Sequence, residues 1–283
     1  MVLSLGEKMM TLIEKLIHYP LKTVSLDGVQ QGYREAGNGQ YLVLLHGISS
    51  GSGSWINQLE QLSHHYHVVA WDAPGYGLSD CLDNPQPSAK DYAERLKGLL
   101  DVLGADQIIL VGHSLGAMQA SAFAHVYPER VKQLVIANVA QGYQRHSEEE
   151  KAAVFAKRPQ LLAKLGAFGL AKARGPHMLY QHEPQALALI TNVMEKLRLE
   201  GFTQASYLLA YDEIRNYLKD LKVPCVVIAA KQDEITPPEN IRRLVQEMAT
   251  QQFLQIKQAG HLSYLDQPEQ FNQIILSAQS ATL

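Results

Sequence analysis

Ser114 stands between two glycines in the run LVGHSLGAM, Leu110 to Met118, where an apolar stretch passes into helix-forming residues. Glycine inside a regular element costs about 1 kcal/mol relative to alanine, so this spacing answers a steric demand. A sharp strand-to-helix turn makes such a demand. It holds the serine in a strained backbone conformation, leaves no room for a Cβ at Gly112 or Gly116, and lifts Oγ above the carboxyl end of a sheet. The chemistry that suits this placement is nucleophilic attack on a carbonyl. A serine hydroxyl barely ionises at neutral pH and needs a base within reach; histidine titrates in the right range.

Eleven histidines are available. His261 follows the last strand-like run and precedes a helix-like one. In a parallel sheet that is the same carboxyl edge as Ser114, where active sites gather. His113 adjoins the serine and is expected to point away from it in a structural role. His46 ends an apolar run and is expected to fix its loop by hydrogen bonds. His64, His65 and His67 read as surface or core-edge residues, and His177 and His182 as a solvated face.

An imidazole base needs a buried acceptor to hold one tautomer. Asp233, just past the preceding strand, is the predicted acceptor; Glu234 beside it stands further from the strand end. The other position open to an acid, after the run 131–139, holds Asn138, Val139 and Ala140 and no carboxylate. The chain order Ser114, Asp233, His261 is one of the known orders for such a triad. The backbone N–H groups of Leu115, at a helix start, and of Ile48, in the Gly/Ser loop after residue 47, are the predicted oxyanion donors. Ser49 and Ser50 read equally as extra donors or as solvated loop serines. Asp72 and Asp80 read as turn-stabilising carboxylates.

The elements that must position these groups alternate. The stretches 21–28 and 31–37 read as a hairpin. Continuous apolar runs at 41–47, 67–73, 107–112, 131–139, 223–230 and 251–258 read as strands, most of them buried on both faces. Helical patterns lie between them, one from Trp55 to Leu62 and one over 88–104 with Ser88 as N-cap and Gly104 at the end. Strand-helix alternation of this kind demands an α/β fold: a mostly parallel twisted sheet of about eight strands with helices on both faces. Residues 141–217 break the rhythm, with helix-forming sequence and no strand-like run. The predicted organisation is therefore an N-terminal helical extension over 1–20, a core made of 21–140 and 218–283, and a helical lid inserted over 141–217, lying across one end of the sheet. In 1–20, Leu5, Met9, Leu12, Ile13, Leu16 and Ile17 recur at helical spacing. That face is expected to lie on the domain or at a contact between copies of the chain, a homo-oligomer.

Composition narrows the partners. The chain has 283 residues, 46% of them apolar and 19% charged, with a formal net charge of −3. That suffices for a sizeable core, and no basic, aromatic-rich strip suggests nucleic acid. Glu7, Lys8, Glu14 and Lys15 interrupt the N-terminus too often for a signal-peptide core or stable membrane insertion. Two cysteines, Cys81 and Cys225, make no disulfide framework and fit a reducing cytoplasm. No Cys/His cluster suggests a metal, and the chemistry above needs no cofactor.

Taken together, LLHG, DAPGYGLSD, GHSLGA, QDEITP and AGHLSYLDQPEQF resemble, in register over nearly the whole chain, the α/β-hydrolase superfamily. HGISSGSGSW and GHLSYLDQPEQF look like their counterparts in the esterase, enol-lactonase and meta-cleavage-product hydrolase group. The resemblance implies Ser114 as nucleophile, Asp233 as acid and His261 as base. It implies a serine hydrolase acting on a small carboxylic ester, a lactone or a related acyl substrate. Dehalogenases and epoxide hydrolases of this fold use an aspartate nucleophile, which Ser114 is not. A carbon–carbon hydrolase acting on a ring-fission product is the alternative. It would need a cation for the substrate carboxylate, from Arg174, Lys172 or Arg158, which otherwise read as exposed helix charges. A non-catalytic ligand receptor is a third use of the fold. Phe155, Phe168, Met178, Tyr180, Tyr207 and Tyr211 either shape the pocket or form the inserted segment's own core.

Overall fold

A computed structural model describes residues 10–248 and 252–278. In chain order its first half contains α1 (Leu12–Lys15), β1 (Lys22–Leu26), β2 (Val29–Ala36), β3 (Tyr41–Leu45), α2 (Ile56–Leu62), β4 (His67–Trp71), α3 (Ala89–Leu103), β5 (Ile108–His113), α4 (Leu115–Val126) and β6 (Val131–Ala137). Then follow α5 (Glu148–Arg174), α6 (Pro184–Met194), α7 (Leu199–Tyr211), α8 (Arg215–Leu218), β7 (Cys225–Ala230), α9 (Pro238–Gln246), β8 (Gln252–Ile256), α10 (Ser263–Asp266) and α11 (Pro268–Ala278). The described strands form one eight-stranded sheet in the order β1-β2-β4-β3-β5-β6-β7-β8. β1 and β2 pair antiparallel as a hairpin, and β2 pairs antiparallel with β4; β4 and the other five strands run parallel. The fold is thus the mostly parallel α/β sheet expected.

Continuous apolar runs end up where water is excluded on both faces. Leu42 to Leu45 and Ile108 to Val111 are fully buried. The register matters more than the count of strands. Leu45 lies opposite Gly112, and Gly112 opposite Ile136, so β3, β5 and β6 finish at one level of the carboxyl edge. α3 shows why helix ends are legible: Ser88 and Asp91 form a reciprocal capping box, and Gly104 closes the helix at φ 69°. Trp55, the first residue of the helix predicted there, instead ends a short 3-10 turn one residue before α2.

The expected N-terminal face is only partly realised. Leu5 and Met9 lie outside the described residues. α1 occupies one turn and passes into a 3-10 turn at Leu16–His18. Leu12, Ile13 and Leu16 pack on the core, but Ile17 is 75% exposed. Three residues per turn instead of 3.6 shifts the phase, so position 17 no longer shares the buried face.

Between β6 and β7 the chain is helical. α5 is broken at Gly166, whose φ of 66° and ψ of 170° are non-helical. That combination lies in a region open to glycine and closed to residues with a Cβ. The break divides α5 into two arms, one carrying Arg158 and the other ending at Arg174. Gly166→Ala is expected to destabilise the protein by about 1–3 kcal/mol through backbone strain alone, since no atom crowds the site. Urea unfolding of the two proteins checks this.

Candidate active site

Ser114 adopts φ 54° and ψ −116°, a strained conformation for a residue with a Cβ. Its surroundings explain how it is held. A Cβ on Gly112 would lie 2.4 Å from the Gly116 carbonyl oxygen, and a Cβ on Gly116 2.4 Å from the Leu45 carbonyl oxygen. α4 therefore enters against β3 and β5 closer than any other residue allows. The Ser114 N–H donates to the Ala137 carbonyl at 2.9 Å, which ties the turn to β6.

Three distant residues meet at this point. Ser114 Oγ lies 3.0 Å from His261 Nε2, and His261 Nδ1 lies 2.9 Å from Asp233 Oδ2. Glu234, the neighbouring carboxylate, is exposed. Asp233 Oδ1 accepts from the N–H groups of Ile235 (2.8 Å) and Thr236 (2.9 Å). Its Oδ2 also accepts from Thr236 Oγ1 (2.6 Å) and Asn138 Nδ2 (2.7 Å). Burial pushes the Asp233 carboxyl up, but the His261 charge, its hydrogen bond and those from Thr236 outweigh burial and hold the group well below the usual carboxylate range. An ionised Asp233 requires the proton on His261 Nδ1, which leaves the Nε2 lone pair facing the serine hydroxyl.

One contributor escaped sequence reasoning. Asn138 occupies the very position after β6 that was noted only for lacking a carboxylate. It sits at φ 48°, gives its amide to Asp233 and accepts from Ser263 Oγ at 2.6 Å. Its signal was a polar residue ending an apolar strand at the carboxyl edge. His113 takes the structural role expected of it. Its Nε2–H donates to the His261 carbonyl at 2.7 Å, and its ring packs edge-on against the His261 ring at 4.8 Å. Burial, with the nearby His261, pushes its pKa down to about 3. His46 behaves as expected, accepting from the Ala73 N–H at 3.0 Å and contacting the Gly47 carbonyl at 2.8 Å. Asp72 accepts from the Ser52 N–H, and Asp80 from the Gln30 N–H, so both hold loops.

A cavity of about 610 Å³ opens above Ser114. Ile48 and Leu115 line it beside the serine. As the first residue of α4, Leu115 has an N–H with no partner inside the helix. The peptide that carries the Ile48 N–H has its Gly47 carbonyl 2.8 Å from His46 Nδ1, and the next carbonyl, that of Ile48, accepts from the Tyr76 hydroxyl at 2.7 Å. Ser50 Oγ donates to Ser54 Oγ at 2.8 Å, while Ser49 also lines the cavity. Of the six apolar or aromatic residues weighed for pocket shape, Met178 alone lines this cavity. Phe155, Tyr207 and Tyr211 pack on one another, and Phe168 and Tyr180 are exposed. Of the three weighed cations, Arg158 and Arg174 line the cavity. Lys172 lies over the exposed Phe168 ring.

A mostly parallel sheet carrying a serine on a strand-to-helix elbow defines the class, an α/β hydrolase. The family model of the alpha/beta hydrolase family matches residues 42–274, and the chain belongs to that family. It is 28% identical over 261 residues to a 2-hydroxy-6-oxononadienedioate/2-hydroxy-6-oxononatrienedioate hydrolase of Paraburkholderia phymatum, covering 86% of this chain and 88% of that protein. It is 24% identical over 238 residues to a 3-oxoadipate enol-lactonase of Acinetobacter baylyi, covering 83% and 86%. A thermophilic esterase from Thermogutta terrifontis superposes with a TM-score of 0.81 at 25% identity, covering 92% of this chain and 97% of that one. Among the described residues, no helix is long and apolar enough to cross a membrane.

The state of His113 has a consequence for stability. Folded, it stays neutral down to about pH 3, whereas an exposed histidine takes up a proton below about pH 6.5. The unfolded chain then binds more protons, so this group's contribution is full above about pH 6.5 and is lost as pH falls towards 3. In His113→Gln the unfolding free energy is expected to drop less steeply between about pH 7 and 5, as measured by urea titration at several pH values.

Proposed function

We propose that the chain is a serine hydrolase that cleaves a small carboxylic ester or lactone through an acyl-enzyme on Ser114. The observation that carries this reading is the unbroken hydrogen-bonded series from Ser114 Oγ through His261 to Asp233, opening onto a cavity. His261 Nε2 takes the hydroxyl proton as Oγ attacks the substrate carbonyl. The N–H groups of Ile48 and Leu115 receive the developing oxyanion, each donor worth on the order of 3 kcal/mol in the transition state. His261 then protonates the leaving alkoxide, and afterwards activates the water that hydrolyses the acyl-enzyme. Asp233 stays ionised throughout, because its four other donors already compensate the charge.

In this reading the helical segment 141–217 is the lid over the site, and the substrate is a small molecule. Two free thiols, one of them buried, support a place in the cytoplasm. A second reading keeps the same groups and changes the bond, to a carbon–carbon bond in a ring-fission product. Arg158 and Arg174 in the cavity favour it, as does the likeness to a hydrolase named for a dienedioate.

Ser114→Ala is expected to lower kcat on p-nitrophenyl butyrate by about 10⁴-fold or more. A fluorophosphonate probe is expected to label Ser114, seen by peptide mass spectrometry. Unchanged turnover in the variant, with the probe elsewhere, would remove Ser114 from the mechanism. Between the two readings, p-nitrophenyl esters are expected to be turned over faster than a dienoate ring-fission product, followed by loss of its visible absorbance.

A further inference from the structure

A carboxylate follows the base closely in the run GHLSYLD, Gly260 to Asp266. Between them a single helical turn, α10, folds the chain back, and the Asp266 N–H donates to the Leu262 carbonyl at 3.0 Å. The turn returns the Asp266 side chain to the loop it has just left. There Oδ2 accepts from the Gly260 N–H at 2.8 Å. The same oxygen accepts from the Tyr180 N–H at 3.0 Å. Gly260 immediately precedes His261, whereas Tyr180 belongs to the helical segment between β6 and β7, just beyond the 3-10 turn that ends at Met178. One half-buried carboxylate oxygen thus holds two backbones that are far apart in the chain.

The two backbones also touch directly. The Leu262 N–H donates to the Met178 carbonyl at 2.9 Å. A Cβ on Gly260 would stand 2.8 Å from the Tyr180 nitrogen and 3.0 Å from the Leu179 carbonyl carbon, so any larger residue would push the segments apart. Burial raises the Asp266 pKa, and the N–H groups of Gly260, Tyr180 and Gln181 pull it part of the way back. No described lysine, arginine or histidine forms an ion pair with Asp266, so backbone donors are what hold it. Hydrogen bonds to an ionised acceptor are roughly twice as strong as neutral ones.

What this contact holds is the geometry of the site. Met178, His261 and Leu262 line the cavity with Ser114. His113 holds the same loop through the His261 carbonyl, and Gln232 holds it through the Ala259 N–H at 3.1 Å. Both of those contacts stay within the core; Asp266 reaches across to the helical segment. We propose that Asp266 is a positioning residue: by gathering the Gly260 and Tyr180 N–H groups on one oxygen, it ties the seat of the helical segment to the placement of His261 over Ser114. This inference rests on the serine-hydrolase reading for the role of His261 and adds a coupling between the segment above the site and its base.

Asp266→Ala is expected to lower kcat on p-nitrophenyl butyrate by about 10- to 100-fold well below its thermal midpoint, because a small displacement of a reacting group is enough to do so. The larger part of the change is expected in kcat rather than KM. The rate at which a fluorophosphonate labels Ser114 is expected to fall in parallel, since that reaction also needs the base. Asp266→Asn keeps an oxygen for both N–H groups without the charge, and is expected to restore part of both rates. Gly260→Ala leaves the carboxylate and forces the backbones apart; it is expected to lower kcat alone and to add little to Asp266→Ala. Amide hydrogen exchange, read by mass spectrometry on peptides spanning 176–182 and 258–264, is expected to accelerate in both peptides of Asp266→Ala together. Faster exchange with kcat and labelling rate at parent values would mark a purely structural contact and overturn the positioning role, leaving Ser114 and His261 in theirs. Unchanged exchange over 176–182 would overturn the coupling to the helical segment. Full turnover in Ser114→Ala would remove the serine reading and this role with it, a result distinct from either outcome in the Asp266 variants.

Discussion

The approach of α4 to the ends of β3 and β5 is the constraint on which the rest of the structure depends. With carbonyl oxygens 2.4 Å from where a Cβ would stand at Gly112 or Gly116, only glycine lets the helix begin there. That contact forces Ser114 into its strained turn, and the turn decides three things at once. It sets Oγ within 3.0 Å of His261 Nε2, it leaves the first N–H of α4 free beside Oγ, and it raises both above the sheet edge. The strain persists because the packing around it over-determines the conformation. The hydrogen bond from the Ser114 N–H to Ala137 adds a covalently independent restraint from the next strand.

The charges around this turn divide into those the protein compensates and those it leaves open. Asp233 receives every hydrogen bond that its two oxygens can accommodate, so its ionised form is fixed before any substrate arrives. His113 is kept neutral by burial and spends its one N–H on the loop that carries His261. Ser114, His261 and Asp233 are thereby held in one hydrogen-bonded arrangement, which the proposed mechanism uses without reorientation. Arg158 and Arg174 follow the opposite rule. They line the cavity with no hydrogen bond or ion pair to a described residue.

Much of this was legible in the sequence, and the reasons are local. Buried parallel strands announce themselves as unbroken apolar runs, helix α3 by Ser88 and Gly104, and the elbow by two glycines around one serine. Ser114, Asp233 and His261 were each readable because each lies within five residues of the carboxyl end of a strand, and strand ends in a parallel sheet share an edge. The oxyanion candidates Ile48 and Leu115 followed from the same rule. Asn138 obeyed it too, but an amide was not recognised as a partner for a carboxylate.

What the residues alone determined, then, is the sheet, its helical interruption and the three side chains that meet at its edge, because periodicity and strand-end position are properties of short stretches of chain. Only the tertiary structure decided the fate of the inserted segment. It turned Met178 inward while Phe155, Tyr207 and Tyr211 packed on one another. It sent Lys172 outward over Phe168 and drew Arg158 and Arg174 into the cavity. The physical reason is that a polar helix has no single face it must bury. Which of its charges face water and which face the cavity depends on a break at Gly166 and on the direction in which the two arms pack.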